Sequence, residues 1–279
     1  MGLISNDQLL DPKNDFVFKR IFGSDENKDI LLAFLNVVCR ESGEEPLTDI
    51  TLLNPYIDKD SLDDKQCILD INARTADGKH VNIEVQLFNK YDTAKRGLYY
   101  WSKKYEEQLS EGQPYKNLKK TITINILNYT FLPHDRCHSI FRLREEHTQV
   151  MLTDDLEMHY MELPKLSEQL ISLADGLTKW LLFLKGVNKE QWEVLAMNEP
   201  ALQKAMNTLE FLSQDDEMRR LYEMRQKALH DEASMIEGAK LEKAMEVARN
   251  MLSKGMDISL ITEITGLTED EVKKLQLKQ

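Results

Sequence analysis

Two ten-residue runs, residues 66–75 and 79–88, alternate polar and apolar side chains and are separated by Ala76-Asp77-Gly78. Period-two alternation on both sides of a turn signal reads as a β-hairpin. In the first run Asp70, Asn72 and Arg74 share one face, opposite Leu69, Ile71 and Ala73. In the second, Asn82, Glu84 and Gln86 oppose Val81, Ile83, Val85 and Leu87. A half-exposed hairpin with a solvated polar face has this signature, so the loop must decide whether the two polar faces cooperate. A two-residue loop on Asp77-Gly78 pairs residues whose numbers sum to 155 and sends Asp70 and Glu84 to opposite faces. A three-residue loop ending in Gly78, which reaches positive φ without a Cβ clash, pairs residues summing to 154. It sets Asp70 across from Glu84, Asn72 from Asn82 and Ile68 from Gln86. This register puts Leu69, Ile71 and Ala73 on the same face as Val81, Ile83, Val85 and Leu87, which the two-residue loop would not, so hydrophobic burial selects it.

The consequence is electrostatic. Side chains directly opposed across two strands have Cβ atoms about 4.5–5.5 Å apart, and two carboxylates there repel. A divalent cation resolves the repulsion, and hard oxygen ligands with retained water are what magnesium prefers. Such an ion polarises a phosphoryl oxygen and lowers the pKa of a bound water. A splayed, solvated acidic pair is the other reading, and spacing alone leaves both open.

The rest of the first half mixes helix and strand signals. Asp11-Pro12 reads as an N-cap with proline at the first helical position, opening a helix that runs to Phe22. Residues 27–39 form a second helix, with Ile30, Leu31, Phe34, Leu35 and Val38 at helical spacing. Residues 50–53 are a short strand, 121–129 a buried β-branched strand, and 150–152 and 159–163 further short strands. Residues 92–110 form an amphipathic helix. Its expected buried stripe is Ala94, Leu98, Trp101, Tyr105 and Leu109, with Arg96, Tyr99, Tyr100 and Lys103 on the other side. From about Leu166 the strand signal ends, and 177–184, 200–212 and 217–252 all read as helix. The expected organisation is an α/β domain over 1–166 followed by a helical region over 167–279.

Composition narrows the class. Glycine (11) and proline (7) are scarce and 42% of residues are hydrophobic, so the chain can bury a core. No run approaches an uncharged apolar membrane span, and the start of the sequence has no secretory pattern. Three scattered cysteines (Cys39, Cys67, Cys137) do not make a disulfide framework, and His134, Cys137 and His138 lack a second cluster for zinc. The expectation is a cytoplasmic protein without membrane contact. A net charge of −12 argues against general polyanion coating, yet residues 90–120 carry eight basic and four acidic side chains. A local nucleic-acid surface and a solvated helix face both fit that segment.

At this point the chain resembles a known family. The residues that carry the resemblance are Asp15-Phe16-Val17-Phe18-Lys19-Arg20-Ile21-Phe22, Leu69-Asp70-Ile71, Ile83-Glu84-Val85-Gln86, Arg96 with Tyr99-Tyr100, and the strand at 122–127. In order and spacing they are similar to the core of PD-(D/E)XK nucleases, and more closely to the Rpn group of recombination-promoting nucleases, also labelled transposases. The resemblance implies a restriction-endonuclease-like fold, a mixed central sheet flanked by helices. It also implies a metal-dependent DNA endonuclease tied to recombination or a mobile element. Asp70 and Glu84 would ligate Mg2+, with Mn2+ as substitute, and the Val85 backbone carbonyl would be a third ligand. Asp15 corresponds to an acid that this fold often places near the metal.

Gln86 departs from the wider superfamily, where lysine follows the metal-binding acid. Glutamine orients water but brings no positive charge, and Arg96 or Lys103 is the candidate for supplying it. Arg96, Lys103 and Tyr100 are the expected DNA contacts. The alternative function is a non-catalytic DNA-binding or assembly module on a decayed nuclease fold. At the C-terminus, residues 258–267 and Thr268-Glu269-Asp270-Glu271 read as helix, glycine turn, capping box, helix. Helix-turn-helix readers begin this way, but acids at the start of the second helix favour packing or oligomerisation, which makes the C-terminal helices a candidate homodimer surface.

Overall fold

The computed structural model describes residues 9–54, 56–57, 67–68, 70–89, 92–167, 175–186 and 188–276. In chain order its helices and strands are α1 (Asp15–Phe22), α2 (Lys28–Ser42), β1 (Ile50–Leu52), β2 (Tyr56–Ile57), β3 (Cys67–Ile68), β4 (Ile71–Thr75) and β5 (His80–Gln86). There follow α3 (Thr93–Glu106), β6 (Thr121–Leu127), β7 (His138–Arg142), β8 (Leu156–Glu162), α4 (Gly176–Lys185), α5 (Lys189–Ala196) and α6 (Pro200–Gln214). The chain ends in α7 (Asp216–Ser253), α8 (Ile258–Thr265) and α9 (Glu269–Gln276). Packing divides it into two units, Met1–Glu223 and Met224–Gln279.

The first unit is built on a six-stranded sheet in the order β1-β4-β5-β6-β8-β7. β5 pairs parallel with β6 and β6 with β8, while β1–β4, β4–β5 and β7–β8 are antiparallel. A mixed sheet flanked by helices, followed by helices alone, is the expected fold class. The hairpin between β4 and β5 has the register selected by burial: Asn72 faces Asn82 and Ala73 faces Val81, both pairs summing to 154. The Thr75 N–H donates to the Lys79 carbonyl at 2.9 Å across the three-residue loop, and Gly78 takes the positive φ of 90° that the loop requires.

The hairpin is not a half-exposed surface ribbon, however. β5 lies inside the sheet, and both of its faces are covered. Ile71, Ala73, Val81, Ile83, Ile122, Ile124, Ile126 and Met161 join α1, α2 and α4–α6 in one hydrophobic core. Phe18, Phe22, Phe34 and Trp180 form the aromatic centre of that core, with neighbouring ring centroids 4.7–5.8 Å apart. The opposite face carries Asn82, Glu84, Gln86, Thr121, Thr123 and Asn125, all buried.

Helix α3 covers this polar face, and here the expected stripe fails. Ala94 is exposed and Leu98 is 49% exposed. The helix instead turns Thr93, Gly97 and Lys104 inward, with the Trp101 Nε1–H donating to the Thr121 carbonyl (2.9 Å) and Gln108 Nε2 to Thr121 Oγ1 (2.9 Å). A polar sheet face offers little reward to an aliphatic stripe, so small and hydrogen-bonding residues make the contact. Gly97 is the point of closest approach: a Cβ there would stand 2.6 Å from Tyr160 Oη.

Other boundaries differ too. Asn14, not Asp11, caps α1 by accepting from the Phe16 N–H (3.0 Å), whereas Asp11 closes the preceding turn. The alternating run 66–75 is split: Ile68 pairs with Tyr56 rather than Gln86, and only 71–75 joins the main sheet. Residues 150–152 contribute one isolated bridge, Arg144 to Met151. In the second unit Ala248, Ile261, Leu267, Val272 and Leu275 form a separate small core. Gly266 (φ 70°) breaks α8 from α9, and the capping box at Thr268 and Glu271 is formed (2.8 and 3.3 Å).

Candidate active site

Asp70 stands at the bend before β4, and Glu84 is on the neighbouring strand β5, at the position that the register continues to from Ile71 and Ile83. The two are in contact: the Asp70 N–H donates to Glu84 Oε1 (3.3 Å), and Asp70 Oδ2 accepts from the Val85 N–H (2.8 Å). The geometry joins Val85 to the pair through its amide; the carbonyl is the group that the family resemblance nominated. Glu84 is 5% exposed.

Burial sets the electrostatics. It pushes the Asp70 carboxyl up, opposed by Lys19 and the Val85 N–H, while the charge of Asp15 adds to the rise. Burial, and next the charge of Asp70, push Glu84 well above the usual carboxylate range, with Arg96 acting against them. Two buried acids that each resist ionisation beside the other make an arrangement that an added cation would relieve.

Lys19 is the residue that sequence reasoning passed over. It lies on α1, and its Nζ is 3.0 Å from Asp70 Oδ1. Asp15 and Lys19 are four residues apart, so α1 presents both on one side. That spacing inside the Asp-Phe-Val-Phe-Lys stretch was the available signal. Asp15 Oδ1 accepts from the Phe16 N–H (2.9 Å), and its charge reaches the pair as stated above.

Gln86 is 5% exposed and anchored: its Oε1 accepts from Tyr129 Oη (2.8 Å), which in turn meets Thr93 Oγ1 (2.9 Å). Tyr129 ends the β-branched run 121–129, and nothing in its local pattern marks it as a partner of Gln86. Gln86 Nε2 and Arg96 Nε are both buried without a hydrogen-bond partner among the described residues. Arg96 lies over the Tyr100 ring, 5.9 Å from its centroid. Lys103 is placed with Glu106 (3.5 Å). Of the two residues expected to replace the missing lysine charge, Arg96 acts on Glu84, and the contact described for Lys103 is with its helix neighbour.

The donor set fits a divalent cation of the hard class: two adjacent carboxylates that want positive charge, flanked by buried unpaired N–H groups suited to an anion. Among the described residues no cluster of three or more His, Cys, Asp and Glu forms a metal-ligating set, so the acids here are a pair. Magnesium is commonly held by one or two protein carboxylates together with substrate oxygens.

A mixed α/β sheet with an acid pair at the β4–β5 hairpin, covered by the helix that follows, defines a nuclease-type fold. A family model described as "PD-(D/E)XK nuclease family transposase" matches residues 12–239, and the chain belongs to that family. A second model, "Rpn/YhgA-like nuclease family, C-terminal HTH domain", matches residues 241–277. The C-terminal helix, glycine turn and helix are therefore a helix-turn-helix domain. Comparisons with curated proteins and with solved structures gave no match. Among the described residues, no helix is long and apolar enough to cross a membrane.

Proposed function

We propose that this protein is a metal-dependent DNA endonuclease that hydrolyses phosphodiester bonds in the service of recombination or a mobile element. The observation that carries the reading is the contact between two largely buried acids, Asp70 and Glu84, in which the charge of Asp70 opposes ionisation of Glu84. With the Val85 carbonyl, these residues would hold magnesium, or manganese in its place, which supplies Lewis acidity toward a phosphoryl oxygen and a bound water. Gln86, its carbonyl end held by Tyr129, offers its amide N–H groups to the attacking water. Arg96 contacts the phosphate, with Lys103 and Tyr100 extending the DNA surface along α3. In the overall reaction water oxygen bonds to phosphorus and the phosphorus–ester oxygen bond breaks. One water proton ends on the leaving oxygen and the other stays with the phosphate hydroxyl.

The helix-turn-helix domain adds DNA affinity. Its acids are partly engaged already: Glu271 caps α9 through Thr268, and Glu269 pairs with Lys273 (3.0 Å). Glutamine at position 86 favours a second reading, a DNA-binding module without catalysis, because it removes a charge that stabilises the transition state. Plasmid nicking in magnesium by the intact protein and by Asp70→Ala separates the two. Metal-dependent nicking lost in the variant supports the enzyme; DNA binding with no nicking by either protein refutes it.

A further inference from the structure

The missing positive charge has a source in the first helix. Lys19 comes from α1, distant in sequence from the Glu84-Val85-Gln86 stretch, yet its ammonium is 3.0 Å from Asp70 Oδ1. Asp70 Oδ2 is already bound by the Val85 N–H (2.8 Å), so Lys19 takes the oxygen that backbone does not. The Lys19 side chain is 37% exposed against 11% for Asp70, so one end of this ion pair is fixed in the fold and the other borders solvent. A long, flexible amine in that position can leave a carboxylate when a stronger cation arrives and still stay within reach of the site. Gln86 cannot play this part: it is uncharged, and its carbonyl end is tied to Tyr129 (2.8 Å).

We propose that Lys19 is the lysine of this active site, neutralising Asp70 before metal binds and turning its ammonium to the scissile phosphate once a divalent cation takes the carboxylate. This rests on the nuclease reading above. The positive charge that lysine brings from the Glu-x-Lys strand in the wider superfamily is then delivered from the first helix. The role is electrostatic: the ammonium faces negative charge growing on the phosphoryl oxygens and exchanges no atoms with substrate. It also makes the ammonium a competitor of the metal for Asp70. Removing it should leave metal affinity intact or improved while catalysis collapses, a split that a merely structural ion pair would not produce.

The test measures two quantities on the full chain: Mn2+ affinity without DNA, by calorimetry, and plasmid nicking in Mn2+. Lys19→Met is expected to bind Mn2+ at least as tightly as the parent and to nick about 100-fold more slowly or worse. Lys19→Arg, which keeps the charge, is expected to retain nicking within about tenfold of the parent. Nicking by Lys19→Met within about threefold of the parent overturns the proposal. So does parallel loss of Mn2+ binding and nicking in that variant, which would make Lys19 a structural strut. A parent protein that neither binds Mn2+ nor nicks DNA overturns the nuclease reading, and the role given to Lys19 falls with it. That result is recognised before any variant is compared.

Discussion

Two buried glutamates in the same sheet behave in opposite ways. Glu157 on β8 is fully buried but well partnered: the cations of Lys120 (Nζ at 2.9 Å) and Arg142 (Nη2 at 2.7 Å) face it, and His159 Nε2 lies 2.8 Å away. Although burial opposes ionisation, these partners hold its carboxyl far below the usual range. Glu84 on β5 is almost as buried, yet its neighbour across the strand is another acid, and its carboxyl is driven up. Burial is common to both; the difference lies in whether the fold supplies compensating charge. A buried acid with partners belongs to the scaffold, whereas a buried acid pair left short of positive charge is a place to bind some.

The largest effect should come from the pair left short of positive charge. Glu84→Gln or Asp70→Ala should lower magnesium-dependent nicking on the order of 100- to 1,000-fold, and single-turnover assays on supercoiled plasmid would register it. Activity close to the parent in either variant would break the contrast at its functional end.

Next in size is the compensated cluster. Glu157→Gln leaves Lys120 and Arg142 facing an uncharged amide, and should cost about 3–5 kcal/mol of stability in urea unfolding. The sign with pH follows from the depressed carboxyl. The stability that Glu157 contributes is complete above the ordinary glutamate value and is lost as pH falls through the lower, folded-state value. The parent should therefore lose stability more steeply than Glu157→Gln below about pH 4.5; parallel acid-unfolding curves would show that the cluster is not a source of stability.

For Glu84 the stability effect should reverse. Without metal, Glu84→Gln removes a repulsion, and the variant should gain about 1 kcal/mol at neutral pH, read as a raised melting temperature in EDTA. A loss of stability there would mean that the pair is already compensated. The smallest effect concerns the helix that roofs the site. Gly97→Ala gains helix propensity but drives a methyl to 2.6 Å from Tyr160 Oη. It should cost about 1 kcal/mol net, with nicking reduced because α3 must shift away from Tyr160 on β8.

Much of the candidate site was legible because β-structure has a strict period. Once a three-residue loop on Gly78 was preferred, apolar burial left one register, and Asp70 met Glu84 as a matter of counting. The helices at 28–42 and 200–214 were equally plain from their apolar spacing. The covered face of α3 was not, since the stripe Ala94, Leu98, Trp101, Tyr105 and Leu109 is the more apolar one, and nothing local reveals that the sheet beneath is polar. Lys19 was hidden for a related reason. Its partner is 51 residues away in sequence (Lys19 to Asp70), and a lysine on an amphipathic helix looks like any solvated cation. Of the partners of Glu157, His159 is two residues along the same strand, but Lys120 and Arg142 come from the edge of β6 and from β7, so no short window contains the cations.

The sequence by itself determined the strand alternation, the turn that sets its register, the run of C-terminal helices and the family. All of these are written in local periodicity and in short ordered motifs, where each residue's neighbours are its neighbours in the chain. Only the tertiary structure decided that the hairpin is interior, that α3 lies on its polar side, that Lys19 reaches Asp70, and that one buried glutamate is compensated while the other is not. Those are questions of which charges share a low-dielectric space, and Coulomb interactions depend on distance through that space rather than along the backbone.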